Sequence, residues 1–270
     1  MEPDFYIHTL RRLQATGWLR PQDRVLVVCA GPPDRDALLA VGQTNAVISN
    51  LDERMTDDGR YAPLEWSHQD AEALTYDSDS FDICIVHDGL HHCLSPHRGL
   101  LEMLRVARRG VLAFEPRDTG IVRLGVRLKF GQRYETSAVE GGGLKFGGVR
   151  NTPVPNYVHR WTEREIEKTV RAASPEGAPS FEYFYALRVP EERLRWLRSP
   201  VQRSLVQVGL PAMKGLSRVF PRQTNGFAFA ITKPALPRDM HPWLRLADDG
   251  VAPDPVWFED EYRRGPKRRG

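Results

Sequence analysis

Cysteine is scarce in this 270-residue chain: only Cys29, Cys84 and Cys93, an odd number with no C-x-x-C spacing. That excludes a disulfide framework or a zinc ribbon and suits reduced thiols. No apolar run approaches the ~20 residues needed to span a bilayer, so no membrane span is expected. Met1-Glu2-Pro3-Asp4 lacks the basic and apolar regions of a signal peptide, and the expected location is cytoplasmic. Charge is not lopsided either. A formal charge of +3 with dispersed arginines falls short of the half-dozen or so clustered cations that a nucleic-acid face requires. The run Arg263-Arg264, Lys267-Arg268-Arg269 reads as a solvated tail.

What is present is an alternation of short apolar runs with segments of helical period. Residues 80–86 read as a strand, 100–109 as a helix and 110–115 as a strand. This is the signature of a parallel sheet with crossover helices. In such sheets ligands sit outside the carboxyl ends of the strands. Asp70, His87, Asp88 and Glu115 all fall at or just after such ends. Further strands are expected at 23–30, 46–50, 64–68, 180–189 and 226–232. Helices are expected at 4–19, after Gly31, at 162–173 and within 191–220. Thr162 and Glu165 form a capping-box pattern. Residues 116–160 sustain no regular pattern, residues 121–130 coming nearest to one. A loop this long inside a compact domain is usually functional or mobile.

The stretch Gln69-Asp70-Ala71-Glu72-Ala73-Leu74, then Phe81-Asp82-Ile83-Cys84-Ile85-Val86, Leu90-His91-His92 and a helix before Glu115-Pro116, resembles class I S-adenosylmethionine-dependent methyltransferases of the small-molecule type. The resemblance implies one α/β domain over residues 1–233, with a proline-rich, charged tail at 234–270. Its Rossmann-like sheet would be seven-stranded and mostly parallel, with an antiparallel last strand, helices on both faces and a substrate cap inserted at about 118–160.

The resemblance also implies a cofactor site. Cys29-Ala30-Gly31 stands where the family carries its glycine-rich loop. Only Gly31 keeps the pattern, ahead of a helix start that would offer free N–H groups. Asn50 and Leu51 stand at the ribose position, where an acidic residue is usual. An amide can accept one ribose bond and donate another, or Asp52 reaches in instead. Asp70 would bond the adenine amino group, Ala71 would leave room for the ring, and Glu72 completes the motif. His87, Asp88 and Gly89 would line the sulfonium and amino-acid end. His91 and His92 are the candidate catalytic residues, as general base, against a reading as capping or packing groups. A metal reading of His87, His91 and His92 is disfavoured because His87 closes a strand and the chain bends before His91. No metal is expected.

In the cap, Tyr134, Arg150 and His159 are the expected acceptor contacts, with Glu135 and Asn156 as further polar candidates. Gly141 to Gly143 are expected to supply hinge freedom. They do not lead from a strand into a Lys-Ser/Thr helix, as a phosphate cradle does. The reaction implied is methyl transfer from S-adenosylmethionine to an oxygen or nitrogen of a small molecule. The Asn/Asp-Pro-Pro-aromatic motif of base-modifying enzymes is absent after residue 86, which argues against nucleic acid as acceptor. Two other readings stand beside this one. One is a binding protein that kept the fold and lost the cofactor, suggested by the degraded loop and Asn50. The other is a nicotinamide oxidoreductase using Asp52, which lacks G-x-G-x-x-G.

Overall fold

The structure is a computed structural model that describes residues 3–52, 54, 59–188, 204, 209, 211, 215, 217–248 and 250–263. The helices expected within 191–220 lie largely outside the described residues. The chain runs α1 (Pro3–Ala15), β1 (Val25–Val28), α2 (Pro32–Ala40), β2 (Ala46–Asn50), β3 (Glu65–His68), β4 (Phe81–His87), α3 (Pro96–Val106) and β5 (Ala107–Pro116). It continues α4 (Gly120–Arg127), α5 (Thr136–Gly141), α6 (Glu163–Ala172), β6 (Ser180–Ala186), β7 (Gly226–Thr232), β8 (Leu244–Ala247), β9 (Gly250–Pro253) and α7 (Pro255–Arg263).

Seven strands form one sheet in the order β3-β2-β1-β4-β5-β7-β6. β7 runs antiparallel to both neighbours, and the other pairs are parallel. β1 is buried along its whole length, as a parallel strand covered on both faces must be. Alternate residues of the central strands feed two cores. Leu26, Cys84, Val86 and Val111 pack with Leu100, Met103, Ile166 and Val170. Val27, Ile85 and Phe114 pack with Tyr6, Leu10, Leu13 and Leu38. Strand order reverses between β1 and β4, which opens a crevice at their carboxyl ends.

The expected helix 100–109 ends earlier, at Val106, and β5 takes up Ala107 to Arg109. Those three residues continue the mixed charge of a helix but are held as strand by long-range contacts. Ala107 pairs with Phe81, and Arg109 bonds Asp23 and the Trp18 carbonyl. The Lys233 ammonium takes the Leu104 and Ala107 carbonyls at the end of α3.

The segment 116–160 is more regular than its sequence suggests. α4 is capped by Thr119, whose hydroxyl accepts from the Val122 N–H at 3.1 Å. α5 and a short 3-10 turn, Val149–Asn151, follow. The hinge expected at Gly141 to Gly143 is not supported at its centre. A Cβ on Gly142 would lie 2.3 Å from the Phe146 carbonyl oxygen, so this glycine serves close packing.

The tail carries the β8–β9 hairpin and α7. Trp243 and Trp257 pack on each other at 5.8 Å, and Trp243 stacks on His241. No helix among the described residues is long and apolar enough to cross a membrane, and all three cysteines are free.

Lys233→Met keeps the stem and removes the ammonium that holds two carbonyls. It should cost about 1–3 kcal/mol in urea unfolding. A change within about 0.5 kcal/mol, the ordinary scatter of surface substitutions, would mean that β5 and β7 alone end α3.

Candidate active site

The crevice is built around Glu115 near the end of β5, whose side chain is fully buried. Its Oε1 accepts from the Gly89 N–H at 3.0 Å and the Leu90 N–H at 2.7 Å. Its Oε2 lies 2.8 Å from His91 Nδ1. These three contacts fix the turn after β4. The other nitrogen of His91 lies 3.2 Å from Glu135 Oε2, from the inserted segment. Asn156 donates to the His91 carbonyl at 3.0 Å and to Glu135 at 3.3 Å.

Burial alone would lower the pKa of His91. The Glu115 carboxylate, and then Glu135, outweigh that and raise it to about 10. Burial would likewise raise Glu135, but His91 brings it down to about 2. His91 is therefore an imidazolium wedged between two carboxylates. With both ring nitrogens facing carboxylates, His91 is placed as a positioning group for the turn more than as the expected base. His92 differs. Burial, and then the charge on His91, lower its pKa, and its side chain is 29% exposed. It is the neutral imidazole of the pair, with Nε2 3.5 Å from Glu135.

The loop after β1 departs from expectation. Cys29 has φ 54°, the left-handed region where glycine is usual. Gly89 is needed opposite it, because a Cβ there would lie 2.5 Å from Cys29 Cβ. Ala30 is buried, its N–H given to Ser49 and its carbonyl accepting from Asn50. The start of α2 offers no free amide. The Gly31 N–H is bonded by Asp34 Oδ2 at 2.8 Å, Pro32 and Pro33 have none, and Asp34 and Arg35 donate to the Gly31 carbonyl.

Asp34 also lies 3.4 Å from His87 Nδ1, and the Tyr6 ring packs on His87 at 4.6 Å. Burial, then the Asp34 carboxylate, push the Tyr6 phenol well above its usual range. Sequence reasoning missed Tyr6 and Asp34, though Asp34 stands three residues after the Gly31 N-cap, where a capping carboxylate belongs. Asp88 pairs with Arg188 through both terminal guanidinium nitrogens, at 3.1 and 2.9 Å. Burial would raise its pKa, and that guanidinium holds it well below the usual range.

At the ends of β2 and β3 the polar groups are partnered internally. Asn50 donates to the Ala30 carbonyl and accepts from the Asp52 N–H, each at 2.8 Å. The Leu51 carbonyl meets His68 Nε2 at 3.0 Å. Asp52 holds the Arg54 guanidinium at 2.8 and 2.5 Å, and Arg54 lies over the Phe146 ring. Asp70 accepts from the Glu72 N–H with one oxygen and from Arg150 Nη2, at 2.6 Å, with the other. Ala71 is buried beside it. Glu72 faces away, both its oxygens accepting backbone N–H groups at 2.8 Å, from Leu94 and Ser95.

The three expected acceptor contacts are not brought together. Arg150 sits on Asp70, Tyr134 is 57% exposed and packs on Tyr157, and His159 turns to Glu165. Glu135 and Asn156 reach the crevice instead.

Residues 35–114 match the model of the methyltransferase domain family. The strand order and the antiparallel β7 agree with the sheet that the resemblance to class I methyltransferases implies, and the family match covers under a third of the chain. The chain is 32% identical over 115 residues to the demethylmenaquinone methyltransferase of Clavibacter sepedonicus, which covers 39% of this chain and 47% of that relative. It is 34% identical over 107 residues to the ubiquinone/menaquinone biosynthesis C-methyltransferase UbiE of Stenotrophomonas maltophilia, covering 36% and 42%. The matched stretch thus spans less than half of either relative. Among solved structures, the YcgJ protein of Bacillus subtilis superposes with a TM-score of 0.52 at 14% identity, covering 84% of this chain and 99% of that one. The [4+2]-cyclase SpnF superposes with 0.51 at 15% identity, covering 85% and 81%. These likenesses establish the fold alone.

Glu72→Ala should leave two backbone amides without an acceptor and cost on the order of 2–4 kcal/mol in urea unfolding. Asp70→Ala, whose second partner Arg150 is half-exposed, should cost under about 1 kcal/mol. Equal costs would remove the distinction between the two carboxylates.

Proposed function

We propose that this chain transfers a methyl group from S-adenosylmethionine to a small-molecule acceptor, with His92 taking the acceptor's proton. The observation that carries the reading is the pairing of a neutral, partly exposed His92 with a charged, buried His91 at the carboxyl end of β4. His91 fixes the turn and cannot itself titrate near neutrality. Its charge keeps the neighbouring imidazole unprotonated and so available as a base.

The residues at the β3 end suit an adenosyl group. Asp70 presents an outer oxygen whose side-chain partner is Arg150, a residue 47% exposed, and Ala71 adds no bulk. Asp70 would hold the adenine amino group, Asn50 or Asp52 the ribose, and Asp88 and Gly89 the amino-acid end. The cofactor supplies a methyl group on a good leaving sulfonium. Holding the acceptor in line then provides much of the acceleration. The curated relatives are named for demethylmenaquinone and for C-methylation in ubiquinone/menaquinone biosynthesis. This widens the acceptor from O- and N-nucleophiles to an activated carbon. We place the activity in the cytoplasm, as an expectation from the sequence.

Specific observations favour a second reading, a binding protein with a weakened cofactor site. The Gly31 amide is internally satisfied, Asn50 bridges its own loops, and Arg150 occupies Asp70. Calorimetry with S-adenosylhomocysteine separates the two readings. Arg150→Ala should tighten binding by about threefold or more (~0.7 kcal/mol), and Asp70→Ala should weaken it. If both weaken it, Arg150 touches the cofactor and does not compete with it.

Turnover is followed as radiolabel passing from methyl-labelled S-adenosylmethionine to demethylmenaquinol, phenols and amines. His92→Gln should lower kcat by about 10²–10⁴-fold while S-adenosylhomocysteine affinity stays within about threefold. In the wild type, kcat/KM should rise with pH through a midpoint below the ordinary histidine value and then level. Full activity in the His92 variant would defeat the assignment of the base, and no cofactor binding at all would favour the second reading.

A further inference from the structure

Outside the crevice, His97 in the first turn of α3, His159 after the cap and Glu165 in the first turn of α6 converge. His97 Nε2 lies 3.0 Å and His159 Nε2 3.1 Å from the same oxygen, Glu165 Oε1, and the three donor atoms all lie within 4.8 Å of one another. We propose that these side chains form a divalent transition-metal site, of the class that zinc occupies, clipping the end of the cap to α3 and α6.

Four observations carry this. His159 Nε2 is shielded from solvent and, although 3.1 Å from Glu165 Oε1, is not aligned for a well-formed hydrogen bond to it. Two donors held about 2.0–2.1 Å from one tetrahedral zinc lie about 3.3 Å apart, close to the 3.0 and 3.1 Å from each imidazole to Glu165. Glu165 also forgoes its expected role. Thr162 Oγ1 accepts the Glu165 N–H at 3.2 Å, but the carboxylate does not complete the capping box and turns to the two imidazoles. Both rings are oriented by packing on buried Trp161, at 4.8 and 4.7 Å.

Two imidazoles and one carboxylate are a known zinc donor set that leaves a position for water. Side-chain exposures of 39, 24 and 29% give solvent that access. The other convergent group, His91, His92 and Glu135, lies in the crevice and is already assigned there, so it serves as the comparison in the test. A metal at the proposed site would tie residue 159 to two core helices and so stiffen the base of the cap.

The full-length chain, stripped with a chelator, is titrated with Zn²⁺ by calorimetry and with Co²⁺ by absorption. One equivalent should bind, Co²⁺ should give the intense visible bands of a four-coordinate site, and Zn²⁺ should raise Tm. Losing an outer-shell partner costs about 10–100-fold in affinity, so His159→Gln and His97→Gln, which each lose a direct ligand, should cost at least that. His92→Gln should bind as the wild type does. Both proposed-site variants lie at partly exposed positions, and circular dichroism without metal checks that each folds. Failure of the wild type to bind Zn²⁺ overturns the proposal. So does binding that survives His97→Gln and His159→Gln, or that His92→Gln abolishes.

Discussion

A carboxylate buried to zero exposure costs several kcal/mol unless it is paired and hydrogen-bonded. Glu115 meets that demand with the Gly89 and Leu90 amides and the His91 ring. The rest of the crevice depends on that commitment. Charge on His91 offsets charge on Glu115, and Glu135 is drawn in from the inserted segment to face the other side of the ring. Asn156 then ties Glu135 to the His91 carbonyl. The turn after β4, the end of β5 and the cap become one polar unit, held together by charges that cannot be removed singly without stranding a buried ion.

The cap consequently spans the crevice from end to end. At the His91 end it contributes Glu135 and Asn156. At the other end Phe146 and Arg150 lie on Arg54 and Asp70. A segment expected to contact only an acceptor therefore also sits on the carboxylate proposed to hold the adenine. Cofactor entry and cap movement are coupled in this account, because Arg150 and the cofactor would draw on the same Asp70 oxygen.

Much of the sheet was legible in the sequence. β2 and β7 match their apolar runs to the residue, because each run is short, continuous and bounded by turn residues. α6 follows from its Thr162 cap. The first residues of β5 were hidden because Ala107-Arg108-Arg109 looks helical locally and becomes strand only through partners far along the chain. The site shows the same division. Asp70, His87, Asp88 and Glu115 were legible as positions at strand ends. Their roles were not, since those depend on partners 22 to 80 residues away: Leu94 on Glu72, His91 on Glu115, Arg150 on Asp70. A residue's type and its place after a strand say that it lies in the crevice. Only the fold says which group it faces.

The protonation state of His91 tests this account most directly. A ring whose folded pKa is raised above its unfolded value contributes stability that is complete below the ordinary value of 6.5 and lost as pH rises through about 10. Nitrogen-15 NMR of the imidazoles, followed from about pH 5 to 11, should find both His91 nitrogens still protonated at about pH 8 while His92 is neutral. A His91 midpoint at or below 6.5 would contradict the buried ion pair around which the crevice is built.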